Sequence, residues 1–483
     1  MRRDAERLET TEFDLAVIGG GIYGACIARD AALRGLKVAL IERSDFGAGT
    51  SFNSLKLIHG GFRYLQSLDF RRIRESVRER RYWLWAAPHL VRPLRFVMPT
   101  HGYGTRGPEA LWAGLRLYGL LSKDRNRGLD SSHRLPGGRL LSPEDCMAAT
   151  PGLQPGGLRG GAEWYDAQVL DTEHLLLECV RDAVDAGAVA VNYVEALGLR
   201  TAAKGVTGVR CRDRLGDTAF DLRALLTVNA TGPFTGEAVM PGMDHKPALV
   251  KSMNLIVPEL ARGYAFGVNS TPANAEDGRR LFFVTPWRGL SIIGTSHAAY
   301  TGDPDACRFS DADVNTFLEE INTAMPHLGL TRDDVLWCYG GLTPAEPSGR
   351  RAQAVASHRG QMIDHAAAGG HQGLISVVGE KYTTARAMAE RVVDLALKKL
   401  GRAPRPCAVL SRKLPGASAP QGRTELLDEL CTRVALPASP ALRELVESYG
   451  TAYPRVLDVG EWQALRGSDD DHLELYRRRC LYG

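Results

Sequence analysis

The stretch from Phe13 to Glu42, FDLAVIGGGIYGACIARDAALRGLKVALIE, constrains this chain more than any other. It opens on an apolar run, Leu15 to Ile18. Gly19, Gly21 and Gly24 follow in G-x-G-x-x-G spacing. A small-residue helical pattern comes next (Ala25, Ala28, Ala31, Ala32), then a second apolar run, Val38 to Ile41, closed by Glu42. That order predicts strand, tight turn, helix, strand and acid. Gly19 permits the turn, Gly21 lets a pyrophosphate approach the backbone, and Gly24 lets the helix pack closely on the strand. The helix N-terminus turns unpaired N–H groups and a partial positive charge toward the phosphates. Glu42, eighteen residues after Gly24, is placed to accept hydrogen bonds from ribose hydroxyls. A glycine-rich turn in an ordinary α/β unit would leave that acid unexplained, so the stretch reads as a dinucleotide site.

A chain of 483 residues has room for two or three domains, each with its own core. Its 44% hydrophobic and 24% charged residues are those of a globular protein, and a net charge of +4 carries no general polyanion signal. No basic tract interleaves with aromatics as a nucleic-acid surface would require. The nine cysteines are scattered without a C-x-x-C pair, which suits reduced thiols and a cytoplasmic location. Neither they nor the twelve histidines show metal-ligand spacing. The opening MRRDAERLETTE lacks the apolar segment of a signal peptide, and no apolar run is long enough to span a bilayer.

The expected organisation runs as follows. Residues 1–12 are a disordered leader. Segments 13–100, 137–245 and 355–400 form a discontinuous nucleotide domain. Residues 246–354, with LVKSMNLIVP, RLFFVTPW and LSIIGTSH, form an antiparallel cap sheet. Residues 401–423 are a Pro- and Gly-rich linker, and 424–483 a small helical domain. Segment 101–136 interrupts the pattern with PEALWAGLRLYGLLSK. This reads either as a helix packed on the core or as an interfacial helix on a membrane surface, at the inner face of the cell membrane, with flanking arginines at headgroup level. The arginine-rich helix at 69–92 reads as a solvated face.

Nucleotide-type signals recur at Ala230-Thr231-Gly232 and in 373–386, on either side of the cap segments. A nicotinamide dehydrogenase usually completes its nucleotide fold in one block. A chain that leaves and re-enters it follows the pattern of glutathione-reductase-like flavoproteins, so the dinucleotide is read as FAD. A late helix capped by Thr383 or Thr384 would aim its positive end at the flavin, where charge develops on reduction.

The same motifs carry a resemblance over residues 12 to 416. DLAVIGGGIYGACIARDAALRGL, TSFNSLKLIHGGFRYL, RERRYWLWAAPHLVRPLRF, NATGP, FFVTPWRGLSIIGTS, WCYGGLTP and GEKYTTAR together resemble the FAD-dependent glycerol-3-phosphate dehydrogenase family. The resemblance implies an α/β fold: a Rossmann-type FAD-binding domain, an antiparallel-sheet substrate cap and a C-terminal helical domain. It implies hydride transfer from a secondary alcohol to flavin N5, then electron transfer to quinone or oxygen. His59, Arg63, Tyr64 and Lys381 match positions around flavin and substrate. His59 is the candidate proton acceptor, with a structural histidine as the competing reading, and Arg63 and Lys381 are candidate polar anchors. The expected cofactor contacts are Gly19, Gly21, Ile22, Tyr23, Gly24, Glu42 and Arg43; Thr50, Ser51, Ser54, Leu57, His59, Gly60 and Gly61; Val194; Ala230, Thr231 and Gly232; and Gly379, Lys381, Tyr382 and Thr383. No residue identifies a covalent flavin link.

Departures from that pattern cluster where the substrate should sit. Thr343 and Ser357 stand where phosphate-binding arginines are expected, a loss of about 1.5–3 kcal/mol per charged hydrogen bond. Asn254 replaces a histidine, His297 an aspartate, Leu55 a serine and Glu380 a glycine. Besides a polyol or polyol phosphate dehydrogenase, two readings stay open: an FAD oxidoreductase of a non-phosphorylated hydroxy or amino substrate, and a non-catalytic flavin-binding redox sensor.

Overall fold

A computed structural model describes residues 3–101, 107–150, 153, 155–203, 205–234, 248–270, 280–347, 354–356, 360–368, 371–379, 381–417 and 422–459. The first strand, Glu12–Ile18, is buried along nearly its whole length and pairs in parallel on both sides, with Val38–Ile41 and with Thr218–Asn229. Leu374–Val378 adds a further parallel strand beyond Thr218–Asn229, and Val189–Val191 one beyond Val38–Ile41. Parallel strands covered on both faces read as continuous apolar runs, which is why LAVI, VALI and LISVV were legible. Helices Ile22–Leu33, Thr172–Asp185 and Ala385–Lys399 cover one face through Ala28, Cys179 and Val392. A meander of Val194–Ala202 and Gly205–Asp213 covers the other through Val209 and Cys211.

A second, ten-stranded sheet is almost wholly antiparallel. It contains the expected cap strands Ala248–Pro258, Tyr264–Ser270, Arg280–Trp287, Leu290–Tyr300 and Trp337–Pro347. It also takes Leu57–Ile58, Val91–Thr100, Arg139–Leu141 and Gly160–Val169 from segments assigned by sequence to the nucleotide domain. The assignment of all of 13–100 and 137–245 to the nucleotide domain is corrected accordingly, while the change of sheet near residue 246 stands. The alternating pattern of Val91–Thr100 is compatible with either sheet, and only the pairing of Arg95 with Tyr264 and Tyr165 decides it.

Three further expectations change. Of the expected disordered leader, the described residues 3–12 are ordered: Ala5–Thr10 is a helix, Asp4 caps it, Leu8 is fully buried, and Arg3 pairs with Asp213 at 2.6 Å. The described part of the 401–423 segment, residues 401–417, is not a free linker. Val409 and Leu414 enter the main core, and Arg405 and Arg412 bond to Arg34 and Asp182. The arginine-rich helix, Phe70–Ala86, is not wholly a solvated face, since Arg80 is fully buried. The terminal helices Arg423–Val434, Pro440–Tyr449 and Tyr453–Val459 share a small core of Leu430, Leu442 and Val446. Arg288–Glu444 and Arg92–Glu447 ion pairs dock them.

Helix Pro108–Leu121 packs one face on the core and leaves another exposed. Leu115 and Tyr118 are buried against the second sheet and the arginine-rich helix. Trp112 and Leu120 are 53% and 73% exposed.

Burial of Leu8 has a measurable consequence. Leu8→Ala is expected to lower the unfolding free energy by about 2–5 kcal/mol, the usual cost of emptying a filled leucine site. Urea denaturation checks it, and an unchanged midpoint would mean the first helix contributes nothing.

Candidate active site

The parallel strands end together at the glycine turn. Gly19 has φ +102°, and a Cβ there would lie 2.6 Å from the Ala230 carbonyl oxygen. A Cβ on Gly24 would fall 1.9 Å from the Gly19 oxygen. No side chain can intrude between first strand, first helix and the end of Thr218–Asn229, so backbone lines the space above them. Helix Ile22–Leu33 starts without a side-chain cap at Gly21, and the Ile22 N–H donates to Ser51 Oγ at 2.9 Å. Glu42 accepts from the Gly20 and Ser44 amides at 2.7 and 2.8 Å.

Above this turn lies a cavity of about 460 Å³ that runs from the nucleotide sheet to the cap sheet. Of the expected cofactor contacts, Gly19, Gly21, Ile22, Tyr23, Glu42, Arg43, Thr50, Ser51, Ser54, Val194, Ala230, Thr231, Gly232, Gly379, Lys381 and Tyr382 line it. Asn254, His297 and Thr343 line its cap end. Residues from eight separate segments of the chain thus meet in one space. Three ties hold them there: Thr50 Oγ1 donates to the Leu342 carbonyl (2.7 Å), Tyr339 Oη to the Ser54 carbonyl (3.1 Å), and Tyr23 Oη to the Lys381 carbonyl (2.8 Å).

Other expected residues take different places. Gly24 serves helix packing, and Leu57 is a buried residue of the second sheet. Gly60 and Gly61 form the turn after it, Gly61 with φ +84°. Neither expected threonine side chain caps helix Ala385–Lys399: Thr384 occupies the cap position without a side-chain bond, and Thr383 Oγ1 instead accepts from the His59 N–H at 3.2 Å. Arg43 lies in the lining but pairs with Asp305. Ser357 and Glu380 lie outside the described residues.

His59, Arg63 and Tyr64 are not among the residues that line the cavity; Tyr64 and Arg63 neighbour Lys381, which does line it. The Lys381 ammonium sits 3.9 Å from the centre of the Tyr64 ring, where Arg72 also lies at 4.2 Å. Burial, with the Arg63 charge added, pushes the Lys381 amine down to about 7. His59 is only partly buried, with Nδ1 3.4 Å from Asp166 Oδ2. Asp166 was not anticipated. Its carboxylate accepts from the Gly60 N–H at 2.7 Å and pairs with Arg80. Burial raises its carboxyl, but the Arg80 charge and the bonds from His59 and Gly60 outweigh it and hold it below the usual carboxylate range. Tyr118 Oη donates to the Gly60 carbonyl at 3.1 Å. Asp166 lies in an ordinary alternating strand and Arg80 in a run of arginines, so neither carried a signal along the chain.

The residues fit a dinucleotide: a backbone-lined turn with no room for a Cβ, an acid at the end of the second strand, and a long cavity under an antiparallel roof. The class these elements define is a dinucleotide-binding oxidoreductase with a substrate cap. Comparisons with known proteins narrow it. Residues 14–395 match the FAD dependent oxidoreductase family. The chain is 36% identical over 431 residues to a Synechocystis glycerol-3-phosphate dehydrogenase, covering 86% of this chain and 76% of that one. It is 34% identical to the mitochondrial glycerol-3-phosphate dehydrogenase of Mesocricetus auratus, covering 86% of this chain but only 57% of that longer protein. Among solved structures, the glycerol-3-phosphate dehydrogenase from Bacillus halodurans complexed with FAD is similar with TM-score 0.71 and 28% identity, over 94% of this chain and 78% of that one. A glycine oxidase from Geobacillus kaustophilus, at 18% identity and TM-score 0.57, shares the fold over 84% of this chain and 99% of its own. This chain belongs to the FAD-dependent glycerol-3-phosphate dehydrogenase family, and its cofactor is FAD.

The lowered Lys381 pKa has a stability consequence. Below about pH 7 the amine is charged in both folded and unfolded chains, and the full cost of burying the charge is present. Between there and the ordinary lysine value the unfolded chain binds more protons, so stability from this group rises with pH. In cofactor-free protein, Lys381→Met is expected to raise Tm at pH 6.5, and the gain should shrink steadily toward pH 10. A gain independent of pH across thermal unfolding scans would refute the buried-charge assignment.

Proposed function

We propose that the protein oxidises the secondary alcohol of a small polyol or polyol phosphate. The observation that carries this reading is one continuous cavity joining the glycine turn to the cap strands, with Lys381 in its wall and the His59–Asp166 pair next to it. FAD, when bound, supplies the hydride acceptor. The turn at Gly19 to Gly24 and the first helix's N-terminus would hold its pyrophosphate, Glu42 a ribose hydroxyl, and Ala230 to Gly232 with Gly379 to Tyr382 its ring end.

The chain's own residues do the rest. His59, with Nδ1 turned to Asp166, takes the substrate's hydroxyl proton at Nε2, and the buried carboxylate favours the imidazolium that results. Arg80, Gly60 and Trp164 keep that carboxylate in place. Lys381 and Arg63 hold substrate oxygens, with Tyr64 fixing the Lys381 side chain against its ring. The cap sheet excludes water.

Quinone or oxygen takes the electrons onward. No helix among the described residues is long and apolar enough to cross a membrane. Support for a peripheral site at the inner face of the cell membrane comes from Trp112 and Leu120 on one helix and Leu68 and Phe70 near the start of the arginine-rich one, all exposed.

Anaerobic mixing of the FAD-loaded protein with polyols, polyol phosphates, hydroxy acids and amines should bleach the flavin with at least one alcohol. His59→Gln should slow that bleaching about 10²-fold. Bleaching by amines alone would assign an amino substrate, and bleaching by none would leave a flavin-binding sensor. Co-sedimentation with anionic liposomes should fall at least fivefold in a Trp112→Ser, Leu120→Ser double variant; equal pelleting of both proteins, or of neither, would remove the membrane reading.

A further inference from the structure

We infer that the cap end of the cavity recognises an uncharged, hydroxyl-bearing end of the substrate, through Ser252, His297 and Thr343. This rests on the alcohol-oxidising reading above and narrows its substrate class. Sheet register brings the three together. Ser252 lies directly across from His297 on the neighbouring strand. On its other side Thr343 pairs with Val250, two residues along, so its side chain falls on the same face as Ser252. Ser252 Oγ is 2.9 Å from His297 Nδ1 and 3.4 Å from Thr343 Oγ1. Asn254, two residues further on and 1% exposed, continues the face, its Oδ1 accepting from Thr295 Oγ1 at 2.9 Å. All five side chains line the cavity.

This set offers rotatable hydroxyls, an imidazole and an amide, each able to present both a donor and an acceptor. A substrate hydroxyl, itself donor and acceptor, satisfies such a site completely. A phosphate dianion is acceptor-only and brings two charges into a place where desolvation must be offset by guanidinium or ammonium partners. Among the described lining residues the lysine and arginine side chains are Lys381 and Arg43. Arg43 is engaged by Asp305, and it belongs to the segment that follows Glu42 at the nucleotide end. Lys381 sits on the turn before helix Ala385–Lys399, not on a cap strand.

The test compares glycerol, erythritol and glycerol 3-phosphate with the FAD-loaded enzyme. Initial rates give kcat and KM with a dye acceptor, and the flavin absorbance shift on titration gives binding without turnover. An uncharged polyol is expected to show a KM at least tenfold below that of glycerol 3-phosphate. Ser252→Ala and Thr343→Val are each expected to raise the polyol KM and Kd about 5–10-fold, with kcat changed less than threefold, the loss of one neutral hydrogen bond. Thr343→Arg is expected to shift preference toward glycerol 3-phosphate. The unaltered flavin spectrum of each variant verifies folding. A parent enzyme that prefers glycerol 3-phosphate, with Thr343→Val neutral for every substrate, overturns the inference and leaves the alcohol reading intact. Absence of turnover with all alcohols overturns both.

Discussion

Everything in this molecule depends on how closely three pieces of backbone approach at Gly19, Gly24 and Ala230. Each contact there is shorter than any Cβ could tolerate. The approach aligns the ends of the parallel strands and leaves a floor of backbone rather than side chain beneath the cavity. From that floor the remaining site is built outward by long-range ties: Ser51 to Ile22, Thr50 to Leu342, Tyr339 to Ser54, Tyr23 to Lys381. Each tie joins segments that the chain separates by up to several hundred residues, so the cavity exists only in the assembled protein.

A second constraint sits on the antiparallel sheet. Asp166 lies on one strand of that sheet, and its carboxylate holds the Gly60 amide and the His59 ring in the turn that follows another of its strands, Leu57–Ile58. Arg80 brings the compensating charge from a helix, and Tyr118 reaches the same loop from the helix that exposes Trp112 and Leu120. Removing one member would leave another buried and unmatched, which costs more than the pair gains. The candidate proton acceptor is therefore positioned by a network whose other members lie on three separate elements.

The legible part of the fold was the part with strong local periodicity. LAVI, VALI and LISVV are buried on both faces and read as strands without ambiguity, and the glycine spacing between the first two admits few alternatives. The strand Val91–Thr100 was placed with the nucleotide domain, because a half-buried strand does not say which sheet it joins. The helix Ala5–Thr10 was missed because six polar-rich residues with one deciding leucine look like a tail until Leu8 finds its pocket. The segment 401–423 looked like a linker because Pro and Gly suppress regular structure, while Val409 and Leu414 still pack as core residues.

At the site, the sequence by itself determined the nucleotide turn, the acid at Glu42, the small residues at Ala230 to Gly232 and the returning turn at Gly379 to Lys381. Those are backbone demands met by residue type, and residue type is what a sequence displays. Tertiary structure alone decided that His59 faces Asp166, that Lys381 lies half-buried against Tyr64, and that Ser252 joins His297 and Thr343 across three strands. These are side-chain meetings between residues 45 to more than 300 positions apart. Local spacing carries no information about such pairs; the register and packing of the two sheets do.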